Sequence, residues 1–281
     1  MMVFRVVFCF MSAIWISGCA SIGAINDPDE LSRTLDKAIV GIPLTYSELP
    51  VPPGTEAILK IIGDEFVIGV MKDVAHDLGN IPDQMKIPLV IYMHGCTGLG
   101  GDEHDYIRFL VRNNYAVIAP DSFARKFRPK SCDPPTYTGG LFRGVLSFRL
   151  AEARYAHELA KTLPWVDKQN IFVMGFSEGG ITTARYGRGG LAGRIILGWT
   201  CNAGWTEYAG ISGPRDEPIL AVVASNDPWF TAPSTMGDCG DFMLFRPNSE
   251  SVVKDTKLHA VQALPEVRER ILQFLEANRR P

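Results

Sequence analysis

Short apolar runs, each closed by glycine, proline or a polar turn, alternate along this chain with stretches whose apolar positions fall three and four apart. The clearest run is Pro88-Leu89-Val90-Ile91-Tyr92-Met93, which predicts a strand buried on both faces. Further strands are predicted at 115–119, 171–174, 194–198, 218–224 and 241–245, and 56–62 with 65–71 read as a hairpin turning at Gly63-Asp64. Helical periodicity runs from Gly144 to Leu163, where Leu146, Leu150, Ala153, Ala156, Ala160 and Leu163 share a face and Pro164 stops the element. It returns over Glu266–Asn278, with Val267, Ile271, Phe274 and Leu275 turned inward. Strands alternating with helices predict an α/β fold, a mostly parallel twisted sheet with helices on both faces. A site on such a sheet belongs at the carboxyl ends of the strands.

The run Ile171-Phe172-Val173-Met174 leads into Gly175-Phe176-Ser177-Glu178-Gly179-Gly180, after which a helix is expected through Thr182 to Tyr186. A strand, a sharp turn and a helix with serine at the apex form the pattern G-x-S-x-G. So tight a turn forces the serine into sparsely populated backbone angles, and a Cβ two residues to either side would strike the neighbouring chain. Glycine at 175 and 179 removes both clashes, and the amino end of the helix favours a developing anion.

A serine hydroxyl needs a base, and the base needs a group to orient it. Of His76, His94, His104, His157 and His259, only His259 follows Ser177, as the order serine, acid, histidine of this sheet type requires. The acid should end an intervening strand. Ile219–Ala224 is such a run, and it breaks at Ser225-Asn226-Asp227-Pro228, which makes Asp227 the candidate ahead of Asp216, Glu217 and Asp241. Asp227 also has the sequence of an Asx turn before proline. An oxyanion hole requires backbone N–H donors. The Glu178 N–H, next to the nucleophile, is one candidate; the Cys96 N–H, in the glycine-rich stretch His94-Gly95-Cys96-Thr97-Gly98-Leu99-Gly100-Gly101, is the other. His94 is expected to tie that loop down through a ring hydrogen bond.

Together these segments, with the strand end Val117-Ile118-Ala119-Pro120-Asp121-Ser122, resemble the α/β-hydrolase superfamily over roughly residues 55–278, most nearly its dienelactone-hydrolase-like branch. The resemblance implies the α/β-hydrolase fold, hydrolysis of carboxylic esters by a Ser-His-Asp acyl-enzyme mechanism, and no cofactor. The founding dienelactone hydrolases use a cysteine nucleophile; Ser177 makes this chain look like a serine esterase on that scaffold.

The first residues carry Arg5, an apolar stretch from Val6 to Ile16, and Ile16-Ser17-Gly18-Cys19-Ala20. The stretch is short for a membrane span. The sequence resembles a bacterial lipobox, which implies a signal peptide over 1–18, a diacylated Cys19 and an outer-membrane lipoprotein facing the periplasm. Residues 19–54 are expected to form a lipidated tether and 55–281 the catalytic domain. Of 281 residues, 28 are basic and 31 acidic. That balance gives no footprint for nucleic acid, and there is no phosphate loop. Past Cys9 and Cys19, four cysteines remain, Cys96, Cys132, Cys201 and Cys239, which allow three pairings. An oxidising compartment makes pairing the expectation, and the strand ends favour Cys96–Cys132 and Cys201–Cys239. No C-x-x-C spacing suggests a metal.

Two sets of residues compete for the substrate. Segment 122–142 is basic and could turn Arg125, Arg128 or the following Arg143 toward a substrate carboxylate, while Trp199, Trp205, Trp229 and Phe230 lie near strand ends and could form an aromatic wall. The expected activity is hydrolysis of a small-molecule ester. A peptidase or amidase on the same three residues and a non-catalytic envelope binding protein are the alternatives, and the oligomeric state is left open.

Overall fold

The structure is a computed structural model that describes residues 25–43, 66–71, 73, 81 and 85–281. In chain order it forms helix α1 (Pro28–Asp36), strands β1 (Ile39–Pro43), β2 (Phe66–Val70) and β3 (Ile87–Met93), helix α2 (Gly101–Arg112) and strand β4 (Ala116–Ala119). A two-strand ribbon, β5 (Cys132–Asp133) and β6 (Thr138–Gly139), precedes helix α3 (Val145–Thr162). Strand β7 (Val166–Phe176), helix α4 (Glu178–Arg185), strands β8 (Gly193–Leu197), β9 (Ile219–Ala224) and β10 (Glu250–Lys254) and helix α5 (Pro265–Ala277) complete it.

The main sheet runs β10-β9-β8-β7-β3-β4-β1-β2. The six strands from β10 to β4 are parallel, and β1 is antiparallel to both its neighbours. Strand periodicity sorts the core into two layers. Val90, Tyr92, Phe172 and Met174 face α2 and α5, where Ile107, Leu110, Ile271 and Leu275 cover them. Leu89, Ile91, Met93, Ile171 and Val173 face the other way, against Ala153, Ala156 and Ala160 of α3. The small residues of α3 let that helix lie close to the central strands. The parallel sheet with helices on both faces is therefore the α/β-hydrolase arrangement the sequence implied.

Two expectations are corrected. Residues 28–43 are not tether: α1 buries Leu31 and Leu35, and β1 pairs with β4, so both belong to the folded domain. The signal to read was Asp27 capping a helix with Pro28 at its first position. Residues 241–245 are not a strand: a short 3-10 turn covers Gly240–Phe242, and Leu244 and Phe245 point into solvent. The strand beside β9 is β10, whose sequence Glu250-Ser251-Val252-Val253-Lys254 shows little apolar pattern because it is an edge that needs mainly backbone pairing. The second arm of the expected hairpin exists as β2, but it pairs with β1; its first arm at 56–62, like the signal peptide and Cys19, lies outside the described residues.

Candidate active site

β7 delivers Ser177 at the centre of the sheet's carboxyl edge. Ser177 has φ 55° and ψ −115°, the left-handed backbone that a serine on so sharp a turn must accept. A Cβ at Gly175 would fall on the Gly179 carbonyl, and one at Gly179 on the carbonyl of Met93, at the end of β3. Both glycines of the pattern are thus required by close packing of the helix α4 backbone on β7 and β3.

β9 ends at Ala224 and presents Asp227, which is 4% exposed. One carboxylate oxygen accepts from the Trp229 N–H at 3.0 Å, closing the Asx turn, and the other lies 2.6 Å from His259 Nδ1. The Asx turn uses one oxygen, and the other faces the imidazole. His259 follows β10, and its Nε2 lies 2.9 Å from Ser177 Oγ. With Asp227 accepting the Nδ1–H, Nε2 is the free base, aimed at the serine hydroxyl. The ring is held on three sides, by Phe176 at 5.0 Å, Trp229 stacked at 5.3 Å and Phe230 at 5.7 Å between centroids.

Cys96 and Glu178 both line the same space, and among the described residues neither backbone N–H has a hydrogen-bond acceptor. Glu178 is the first residue of α4, where N–H groups have no partner within the helix. The loop carrying Cys96 is fixed from several sides. Gly95 N–H donates to Glu103 Oε1 at 3.0 Å, and Arg149 Nη2 donates to the His94 carbonyl at 2.8 Å. His94 is fully buried: its Nδ1–H donates to the Gly95 carbonyl at 2.7 Å, and its Nε2 accepts from Ser122 N–H at 3.1 Å and from Arg149 at 2.9 Å. Burial, with the Arg149 cation beside it, pushes the His94 pKa well below the usual imidazole value, so the ring is neutral and structural.

Behind the loop lies a buried charge network that the sequence reading missed. Arg149 and Glu152 on α3 are both fully buried, 3.1 Å apart, and Arg125 joins Glu152 at 2.5 Å. The signal was a pair of charges at i and i+3 inside the apolar stripe of α3. The expected roles of the arginines in substrate binding are corrected accordingly. Arg125 is turned inward to Glu152, Arg128 Nη2 meets Glu178 Oε1 at 2.6 Å, and Arg143 pairs with Glu207 at 2.5 Å outside the pocket. Neighbouring carboxylates drew all three guanidiniums away.

The cavity over Ser177 has a volume of about 280 Å³. Trp199, Trp205, Trp229 and Phe230 line it, joined by Tyr137 and Tyr208, and among the described residues no lysine or arginine does. The one carboxylate that lines it among the described residues, on Glu178, is held by Arg128 and by the Ser131 hydroxyl. Cys132 is disulfide-bonded to Cys96 and Cys201 to Cys239, the pairing the strand ends favoured. Adjacent residues Ser131 and Cys132 therefore hold two residues that line the cavity, Glu178 and Cys96.

Chemically, this arrangement can deprotonate a hydroxyl beside a cavity lined by two N–H donor residues, Cys96 and Glu178, which suits acyl transfer. Similar backbones occur in a protein from Klebsiella pneumoniae assigned as a dienelactone hydrolase and in one from Bacteroides ovatus assigned as a dipeptidyl aminopeptidase IV. The first is 18% identical with a TM-score of 0.50 over 69% of this chain and 88% of its own. The second is 14% identical with a TM-score of 0.51 over 71% of this chain and 32% of its own. At these identities the likeness is one of fold. Among curated proteins none matches the chain in sequence. The profile of the dienelactone hydrolase family, by contrast, matches residues 78–237, more than half the chain, from just ahead of β3 to beyond Asp227. The chain thus belongs to the dienelactone hydrolase family and is a carboxylic-ester hydrolase of the α/β-hydrolase fold.

Proposed function

We propose that this enzyme hydrolyses uncharged carboxylic esters through an acyl-serine intermediate, with Ser177 as nucleophile, His259 as base and acid, and Asp227 as the group that orients the imidazole. The observation that carries the reading is the unbroken relay from Asp227 through His259 to Ser177, with contacts of 2.6 and 2.9 Å, opening onto the aromatic cavity. His259 Nε2 takes the Ser177 proton as Oγ attacks the ester carbonyl, and the Cys96 and Glu178 N–H groups donate to the oxyanion. The imidazolium then gives its proton to the departing alkoxide. Water, deprotonated by His259, attacks the acyl-serine, and collapse returns the proton to Ser177 and releases the carboxylic acid.

The substrate class follows from the lining. A carboxylate-bearing ester would leave water for a cavity with no cation to meet it, a desolvation cost with nothing to offset it. Aromatic walls favour apolar or ring-bearing groups. A panel pairing each neutral ester with a carboxylate-bearing analogue, and each ester with its amide, tests this on the purified enzyme. Neutral esters should have the higher kcat/KM. Preference for the carboxylate-bearing partner would overturn the substrate class, and amide turnover equal to that of the ester would replace the esterase reading with an amidase.

We also propose that Cys19 carries lipid and anchors the enzyme in a bacterial envelope, at the outer membrane facing the periplasm. The lipobox-like Ile16-Ser17-Gly18-Cys19 and two disulfides suited to an oxidising compartment support this. Among the described residues no helix is long and apolar enough to cross a membrane. Cys19→Ser should abolish labelling by a fatty-acid probe; persistent labelling would refute the site.

A further inference from the structure

Segment 122–142, between β4 and α3, leaves large apolar side chains in solvent beside the cavity. Phe123, Phe127, Tyr137 and Leu141 are 45%, 57%, 52% and 51% exposed. At the cavity mouth Tyr137 meets Trp229 edge-on at 5.8 Å and half-exposed Trp205 lies over Gly140, while Phe127 meets Phe142, next to Leu141, edge-on at 6.4 Å. Exposed cations alternate with these groups: Lys126, Lys130, which also pairs with Asp133, and Arg143, which pairs with Glu207 and lies 5.2 Å over the Trp205 ring. A contiguous apolar surface of this kind marks an interaction site. Aromatic rings interleaved with lysines suit the boundary of a bilayer, where rings sit at headgroup depth and ammonium groups meet phosphates.

The start of the described chain points to the same partner. The Ile25 carbonyl accepts from Arg125 Nη2 at 3.5 Å, the Glu30 carboxylate accepts from Lys126 N–H at 2.9 Å, and the Thr34 carbonyl accepts from Asp121 N–H at 3.0 Å. The described residues therefore begin against this segment, at the carboxyl edge of the sheet, with Ile25 bonded to Arg125, two positions before Phe127. Cys19 stands six positions before Ile25 (25 − 19 = 6), and six extended residues span at most about 20 Å. Lipid on Cys19 would hold the membrane within that distance of the segment, on the side that carries the cavity.

We propose that segment 122–142, together with Trp205, is a docking surface for an anionic lipid bilayer. Phe127 and Leu141 enter the interface, Lys126 and Lys130 meet headgroup phosphates, and the cavity mouth faces the membrane. An ester dissolved in the bilayer then reaches Ser177 without crossing bulk water. The orientation rests on the lipid-anchor reading of Cys19; the composition of the patch does not.

The test uses the chain from Ala20 to Pro281, which removes no described residue and cannot be acylated at Cys19, so docking is read apart from anchoring. It is cosedimented with vesicles of phosphatidylethanolamine and phosphatidylglycerol, and with vesicles of phosphatidylcholine alone. It should bind the anionic vesicles more tightly. Phe127→Ser combined with Leu141→Ser should weaken that binding about tenfold or more, each methylene withdrawn from lipid being costly. Lys126→Gln should weaken it about fivefold on anionic vesicles alone. Neither Phe127 nor Leu141 lines the cavity, so turnover of a water-soluble ester should be unchanged in every variant, which also reports an intact fold. A chain that turns over that ester normally yet ignores anionic vesicles would overturn the proposal. So would binding that the variants leave unchanged, or a dimer in solution that Phe127→Ser dissolves, since the patch would then belong to a second copy. An unacylated Cys19 in native membranes would refute the anchor alone, and patch-dependent vesicle binding would still support the docking surface.

Discussion

Replacing Ser177 by glycine and by alanine separates what the serine does chemically from what its backbone costs. Both variants lack the hydroxyl, so both lose the proposed nucleophile and the contact with His259 Nε2. Turnover of an ester should fall by roughly 10⁴–10⁶ in each, leaving what binding and the oxyanion donors provide. Stability should differ between them. At φ 55° and ψ −115° a residue with a Cβ carries strain of about 1–3 kcal/mol that glycine does not. Glycine loses about 0.5–1 kcal/mol more than alanine through the unfolded chain. The difference leaves Ser177→Gly the more stable by up to about 2.5 kcal/mol, or as much as roughly 10 °C in Tm at about 2–4 °C per kcal/mol for a chain near this size. Urea unfolding of the two variants side by side, followed by circular dichroism, measures it. Alanine clearly more stable than glycine would mean the turn is not strained at Ser177.

Asp227→Asn should keep the Asx turn to Trp229 but offer the wrong partner to the imidazole, lowering kcat by about 10⁴; less than tenfold would move the acid elsewhere. Ser131→Ala removes the hydroxyl bonded to Glu178, and Cys132→Ser releases Cys96; each should lower kcat with little change in KM, by up to about 10²–10³ where one oxyanion donor is lost. A rise in KM alone would assign these residues to substrate binding instead. His157 is buried against the Tyr186 hydroxyl at 2.8 Å, and burial pushes its pKa down to about 4. The unfolded chain binds this proton below about pH 6.5 and the folded chain does not, so stability should fall as pH drops from 6.5 toward 4, by up to about 1.4 kcal/mol per pH unit from this group. His157→Gln should flatten that slope in urea midpoints between pH 5 and 7, and an unchanged slope would refute the assignment; buried His94 should add a slope of the same sign.

What could be read from the sequence was whatever depended on local pattern. The apolar runs of β3, β9 and the second half of β7 are uninterrupted, whereas the polar first half of β7, residues 166–170, was not legible as strand, and the spacing of glycines around Ser177 is dictated by contacts to Gly179 and Met93 that only glycine permits. Asp227 and His259 could be placed beside Ser177 because only one histidine follows the serine and Asp227 directly follows the end of an apolar run. The rest depended on partners distant in sequence. β10 is an edge strand whose burial is supplied by β9, not by its own side chains. Arg125, Arg128 and Arg143 look alike in the sequence, and only the placement of Glu152, Glu178 and Glu207 decides which way each turns. α1 was hidden by its polarity: it buries one narrow side, and its link to the end of β4 runs through a backbone bond from Asp121 to Thr34.

The most direct test of Ser177 as the nucleophile is peptide mass mapping after treatment of the native enzyme with a fluorophosphonate, run beside ester turnover by Ser177→Ala. The relay to His259 predicts a single adduct on Ser177, its absence in Ser177→Ala, and loss of turnover by several orders of magnitude. An adduct on another residue, or near wild-type turnover by Ser177→Ala, would contradict it.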